Sequence, residues 1–494
     1  MIYAIPKSVN YIAICFLLMN LVGLDRSPIV WMDEVTLNDP AKELALHGNL
    51  ISSVFSGRNS FGEAYYWQPP GQPLLMSLVY RLFGFGIWQT RLPGLFFASG
   101  ILVMSYFLSM SLLRNHSSAI IAILILGLDP KFIESARSAR MDTQSLLLAI
   151  SGIYLVFSLR SIKDNNSNSY LPSMLFAGLC LGLAGITHPL AIVWVLSLAV
   201  IKLLWKDSLP TQKFIWLLVA IVTPLSFWVL SAFSSGEIKL LGAQFFNHGE
   251  SRLASGSLFG RIFDEALRYW DAYRLVPGLL LIYFGATVWL FYNRRNLSLG
   301  SAWLCVLTIL PILFNTFFMS KTVGFYYLYP VCMMALASGA MINHLWNNKI
   351  RIFSILLPKV AVRGVLSTLL ISVIGFGILG RYVVLAYQWD QRDYVPIKLA
   401  LERTIPPDSV IWGPPDIWYA SEEIGASLRI RGEPLRNTHD YLVTKLTGDM
   451  DIPTDLLLVA DLGSALPPIF GSINVSSADY RMQVWQWDSN SDTE

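Results

Sequence analysis

Two carboxylates stand side by side in Trp31-Met32-Asp33-Glu34, shortly after an apolar run that ends at Leu24. A carboxylate fixed beside a membrane can take the proton of a hydroxyl as its oxygen attacks. On spacing alone a solvated acidic pair is the ordinary alternative. A second constellation is Arg137-Ser138-Ala139-Arg140-Met141-Asp142. Its two guanidinium groups suit a lipid-linked phosphate, and Asp142 suits a second carboxylate, a cation ligand or a helix N-cap. Ser320-Lys321 precedes Tyr326, Tyr327 and Pro330. The lysine is placed to meet an anion or to snorkel among head groups. Gln68 in Trp67-Gln68-Pro69-Pro70-Gly71 and His188 in Thr187-His188-Pro189 are further polar groups at turns.

The elements that must position these residues are written in the composition. Of 494 residues, 54% are hydrophobic and 14% charged, against roughly 25% charged in soluble domains. An ordinary soluble enzyme is thereby excluded. A net charge of +3 supplies no basic stripe for nucleic acid. A spanning helix needs about 20 mostly apolar residues. On that measure about eleven spans are expected, at 9–24, 91–113, 118–131, 143–159, 172–187, 189–205, 214–233, 275–292, 299–318, 328–346 and 364–385. The stretch 73–87 is broken by Arg81 and two glycines, which predicts a helix lying in the interface. Cys15, Cys180, Cys305 and Cys332 all fall in apolar runs, without disulfide or zinc spacing.

Orientation follows from the cations in the short connections. With the N-terminus inside, the inner loops hold thirteen: Lys7, Arg114, Arg160, Lys163, Lys202, Lys206, Lys213, Arg294, Arg295, Lys349, Arg351, Lys359 and Arg363. The short outer loops hold three, Arg137, Arg140 and Lys321, so these charges need a functional account. Three longer segments fall outside: 25–72, 234–274 and everything after Gln388. The last has strand-like runs at 409–412, 456–459 and 482–487 between proline-rich turns, which predicts a small extracytoplasmic α/β domain over 388–494 behind a membrane domain over 1–387. The five chemical constellations all fall on the outer side of a topology derived without them.

Over roughly residues 9–345 the chain resembles the multispanning glycosyltransferases of the GT-C fold. The nearest branch is that of dolichyl-phosphate-mannose protein mannosyltransferases and lipid A aminoarabinose transferases. The resemblance rests on Asp33-Glu34, Tyr66-Trp67-Gln68-Pro69-Pro70, Leu82-Phe83-Gly84 with Arg91-Leu92-Pro93, Arg137 to Asp142, and Ser320-Lys321 with Tyr327. It implies an integral inner-membrane enzyme that moves a sugar from a polyprenyl-phosphate donor to a lipid, glycan or protein acceptor on the outer face, with inversion. Asp33 takes the essential carboxylate role, Glu34 supports it, and Asp142 is a second catalytic acid. Arg137, Arg140 and Lys321 face the donor phosphate, while Gln68, His188, Tyr326 and Tyr327 contact substrate. Gln68 and His188 stand where many relatives carry a lysine or histidine and a lysine, respectively. No organic cofactor is implied, and a divalent cation is compatible with the acids. The competing readings are a transporter or flippase, which would place its charges near the bilayer midplane, and a non-catalytic receptor, in which Asp33 would be dispensable.

Overall fold

The computed structural model describes residues 5–158, 171–206, 209–250, 253, 255–293, 298–320, 324–348, 350–352, 355–430, 440–445, 456–462 and 480–487. The chain is mostly helical. α1 (Lys7–Leu21) enters the bundle, and the segment after it folds into α2 (Met32–Leu46) and α3 (Gly71–Phe83). Then come α4 (Ile87–Leu113), α5 (His116–Gly127), α6 (Pro130–Arg137), α7 (Asp142–Ser158), α8 (Leu171–Thr187), α9 (Ile192–Leu204) and α10 (Thr211–Ser234). The segment after α10 forms α11 (Ile238–Glu250) and α12 (Leu258–Tyr273), and the bundle closes with α13 (Pro277–Asn293), α14 (Leu299–Phe318) and α15 (Leu328–Asn347). A β1–β2 hairpin (Ile350–Ile352, Ile355–Leu357) leads to α16 (Lys359–Ser372), which runs through a π-helical stretch into α17 (Gly380–Tyr387).

Each apolar run counted in the sequence carries a helix, but their lengths differ. Among the described residues five helices are long and apolar enough to cross a membrane, and α6 and α7 make a sixth if the pair, bent by 112°, is one span. Five further apolar helices are shorter. The stretch expected to lie in the interface forms α3, stopped at Gly84, whose φ of +80° suits a residue without Cβ. It turns Leu74, Leu78 and Leu82 outward at four-residue intervals while burying Met76 and Tyr80, the pattern of a helix lying on lipid. α12 does likewise, exposing Leu258, Phe259, Ile262 and Phe263 and burying Glu265 and Arg268.

After the bundle come α18 (Val395–Thr404), α19 (Trp418–Glu423) and a five-stranded sheet of β3 (Val410–Trp412), β4 (Ser427–Arg429), β5 (Asp440–Lys445), β6 (Leu456–Leu462) and β7 (Met482–Trp487). Its order is β4-β3-β5-β7-β6, parallel among β4, β3 and β5 and antiparallel at β7. This α/β unit does not stand apart from the membrane domain. Ile29, Val35, Val54, Phe61 and Tyr65 of the segment between α1 and α3 share one apolar core with Ile397, Ile411, Trp418, Tyr419 and Val484.

Candidate active site

The site is assembled at the bend between α6 and α7. Asp129 caps α6 by accepting from the backbone N–H of Lys131 and Phe132, at 2.7 and 3.0 Å. It also accepts from Tyr273 and Tyr283, at 2.9 and 2.7 Å, which ties α6 to the end of α12 and to α13. Beyond α6 the chain reverses through Ala139, which has a φ of +53°. That conformation is costly for a residue with a Cβ, and Asn38 of α2 braces it by donating to the Ala139 carbonyl at 2.9 Å. The reversal aims Arg140 at α2 and starts α7 at Asp142.

Arg140 then lies between two carboxylates. Its Nε donates to Asp142 Oδ2 at 2.7 Å, and its Nη1 pairs with Asp33 Oδ2. Burial opposes its charge, but Asp142 and Asp33 outweigh that cost and raise its pKa. The Trp31 ring lies against the guanidinium, 5.6 Å from its carbon. Asp142 is fully buried, whereas the Asp33 side chain is 39% exposed, so Asp33 presents the open face of the cluster. His188 lies on the far side of Asp142. Its Nδ1 accepts from the Leu190 N–H at 3.0 Å, which leaves the proton on Nε2, 3.7 Å from Asp142 Oδ1. Neither of those facing atoms has a hydrogen-bond partner among the described residues. Burial pushes the imidazole down to about 4 despite Asp142, so His188 is neutral near pH 7.

The other expected residues divide. The Tyr326 ring meets His188 edge-on at 5.5 Å, so Tyr326 joins the cluster. Tyr327 turns the other way, its ring 6.2 Å from that of Tyr273. Gln68 is buried in the loop before α3. That loop is pressed on the α8 end: a Cβ on Gly71 would lie 2.6 Å from Thr187 Oγ1, next to His188. Glu34 does not face Asp33's partners. It accepts a bidentate pair from Arg91, both bonds at 2.7 Å, and a third bond from Tyr419 at 2.9 Å, all fully buried. Arg137, expected to face a phosphate, is also fully buried. It donates to the backbone carbonyls of Asn20, Val22, Gly23 and Ser27 where α1 ends, because those carbonyls lack helical partners. Lys321 lies outside the described residues, as do Arg160, Lys163, Arg294, Arg295 and Lys349 of the inner loops. Among the described residues no three His, Cys, Asp or Glu side chains converge as metal ligands, and the cation beside Asp142 is Arg140.

Several residues escaped the sequence reading. Arg91, noted only within a motif, holds Glu34 and also donates to the Leu24 carbonyl at 2.8 Å. Lys42 is buried among Glu422 at 2.6 Å, Glu43 at 3.1 Å and Asp39 at 3.5 Å, joining α2 to α19. Arg268 on α12 pairs with Glu265 at 3.0 Å and donates to the carbonyls of Met319 and Ser320 at 3.2 and 3.0 Å. Burial raises Glu265 to about 7 against the pull of Arg268. The available signal was the four-residue spacing of Leu258 with Ile262 and of Phe259 with Phe263 on an amphipathic helix, with Glu265 and Arg268 three residues apart on its other face.

Comparison with known proteins bears on the fold. Residues 67–231 match the sequence profile of the family described as dolichyl-phosphate-mannose-protein mannosyltransferase. No curated protein sequence matches the chain. Among solved structures, ArnT from Cupriavidus metallidurans bound to undecaprenyl phosphate superposes with a TM-score of 0.64 at 15% identity, over 99% of each chain. The arabinofuranosyltransferase AftD from Mycobacteria gives 0.53 at 14% identity, over 97% of this chain and 41% of that one. The Archaeoglobus fulgidus oligosaccharyltransferase in complex with zinc and sulfate gives 0.50 at 10% identity, over 88% of this chain and 68% of that one. The protein is a multi-pass membrane protein with the GT-C fold of these glycosyltransferases.

Proposed function

We propose that this protein is a glycosyltransferase that moves a sugar from a polyprenyl-phosphate donor to an acceptor on the extracytoplasmic face of the cell membrane, with inversion. The observation that carries this reading is Asp33: a carboxylate held by Arg140 and open on one side. The acceptor hydroxyl attacks the anomeric carbon while Asp33 takes its proton. The bond from that carbon to the phosphate oxygen breaks, and the polyprenyl phosphate leaves with the electron pair. A phosphate is already a good leaving group, so the protein has to neutralise it and supply the base. With Arg137 committed to backbone carbonyls, the departing phosphate falls to Lys321, the cation the sequence offers for it, and to Arg268, which reaches the carbonyls of Met319 and Ser320, with Tyr326 beside the sugar. Asp142 fixes Arg140, and His188 and Gln68 line the substrate side as neutral donors. If the acceptor is itself a phosphate it needs no base, and Asp33 then stabilises charge at the sugar.

The finer architecture belongs to the same reading: eleven spans, a transferase domain over 1–387 and an extracytoplasmic domain over 388–494. The undecaprenyl phosphate bound to ArnT supports the choice of a polyprenyl carrier. The test is a transfer assay with purified full-length protein and a panel of polyprenyl-phosphate sugars. Release of polyprenyl phosphate with transfer of one sugar is expected. Carrier movement across the bilayer without sugar transfer would favour a flippase instead.

A further inference from the structure

α1, α5 and the end of the last span line a groove of about 320 Å³ that contains none of the residues touching Asp33, Arg140, Asp142 or His188. Its walls are apolar, including Cys15, Met19, Leu124, Gly127 and Ile378, and Arg381 closes one end. Along α1 it runs from Tyr11 to Asn20, nine residues of helix or roughly 13 Å. In the orientation derived from the loop charges, Asn20 and Arg381 are at the outer end and Tyr11 is deeper in the bilayer.

Arg381 is a poorly neutralised cation. Its Nη1 donates to Asn20 Oδ1 at 2.9 Å, and no carboxylate lies within ion-pair distance among the described residues. Glu134, the acid whose field reaches it, is taken by Lys131 at 2.7 Å. Arg137 and Arg392 both lie close enough to repel it. The Nε and Nη2 edge of the guanidinium, the edge that forms two parallel bonds to a phosphate, has no bond among the described residues. A cation in this position above a narrow apolar slot is complementary to an anionic amphiphile. The slot takes a single short hydrocarbon segment.

We propose that this groove binds an anionic glycerophospholipid of the outer leaflet, with its phosphate on Arg381 and one acyl chain along α1. The site also touches the catalytic scaffold, because Asn20 gives its side chain to Arg381 and its backbone carbonyl to Arg137.

The test needs no sugar donor, so it stands or falls separately from the transferase reading. Full-length protein is placed in nanodiscs with equal amounts of phosphatidylglycerol and phosphatidylcholine, and the lipid retained after detergent extraction is identified by native mass spectrometry. The parent should retain phosphatidylglycerol over phosphatidylcholine by about tenfold, the worth of one charged hydrogen-bonded contact. Arg381→Gln should bring the ratio to about one without reducing total retained lipid. Leu124→Trp, which fills the slot, should reduce both lipids. Equal retention of the two lipids by the parent, or an unchanged ratio in Arg381→Gln, would overturn the proposal and leave Arg381 as a snorkelling side chain. Complete displacement of phosphatidylglycerol by equimolar undecaprenyl phosphate would overturn it too, by giving the groove to the carrier lipid.

Discussion

Asp33 and Glu34 are neighbours in the first turn of one helix, yet they belong to different parts of the molecule. Successive residues of a helix point about a quarter-turn apart, and here that rotation separates an open cluster from a sealed one. Asp33 reaches Arg140 with its side chain partly exposed, while Glu34 reaches Arg91 and Tyr419 with none. In the open cluster Asp142 Oδ1 and His188 Nε2 have no hydrogen-bond partner among the described residues, whereas every oxygen of Glu34 is bonded. The lesson is that a buried ion pair can be a strut for a neighbouring reactive group. Glu34 joins α2 to α4 and to α19 of the C-terminal unit, and so sets where Asp33 stands.

The comparison is broken most severely at Arg91. Arg91→Met leaves Glu34 charged and buried without its partner, an effect worth about 3–5 kcal/mol. A large fall in the thermal or denaturant midpoint of the purified protein is expected, and Glu34→Gln should lower it in the same direction. A smaller break is Tyr419→Phe, which removes one hydrogen bond to a charged group, about 2 kcal/mol. It should lower the midpoint modestly and reduce kcat more than it raises KM, because it loosens the mount of Asp33. An unchanged kcat would confine Tyr419 to stability.

The least severe test sharpens the contrast by pH. Glu265, held up to about 7 by burial, is protonated below that value and then withdraws its negative charge from beside Arg268. The phosphodiester donor keeps one negative charge throughout, so its affinity should rise severalfold as pH falls from 8 to 6, read by equilibrium binding. Glu265→Gln should flatten the profile. The sign for stability is the same: a carboxyl whose pKa is higher in the folded protein favours folding at low pH, and that contribution is lost as pH rises from the unfolded value through 7. His188, neutral above about 4, should add nothing to the profile in this range.

The helices were legible in the sequence because each apolar run has to satisfy its own backbone in lipid. The α/β unit was legible from proline-rich turns and short β-branched or aromatic runs. Asp33, Arg140 and Asp142 were found as charges at span ends, and the structure brings all three together with His188 and Tyr326. What sequence could not separate was Arg137 from Arg140. Both defy the loop-charge asymmetry, but one faces the carbonyls that end α1 and the other faces two acids, and only the left-handed turn at Ala139 decides which. Nor could spacing reveal that Glu34 pairs with residues far along the chain, at 91 and 419, since such partners are set by tertiary packing.

The central claim is that the adjacent carboxylates divide the work, Asp33 serving the reaction and Glu34 the frame. It is tested most directly by measuring transfer to a hydroxyl acceptor and the unfolding midpoint in the same preparations of the parent and Asp33→Asn. Loss of a general base typically costs about 100-fold to 10,000-fold. The account predicts a fall of at least about 100-fold with the midpoint nearly unchanged. Transfer at the parent's rate by a folded Asp33→Asn protein would contradict it.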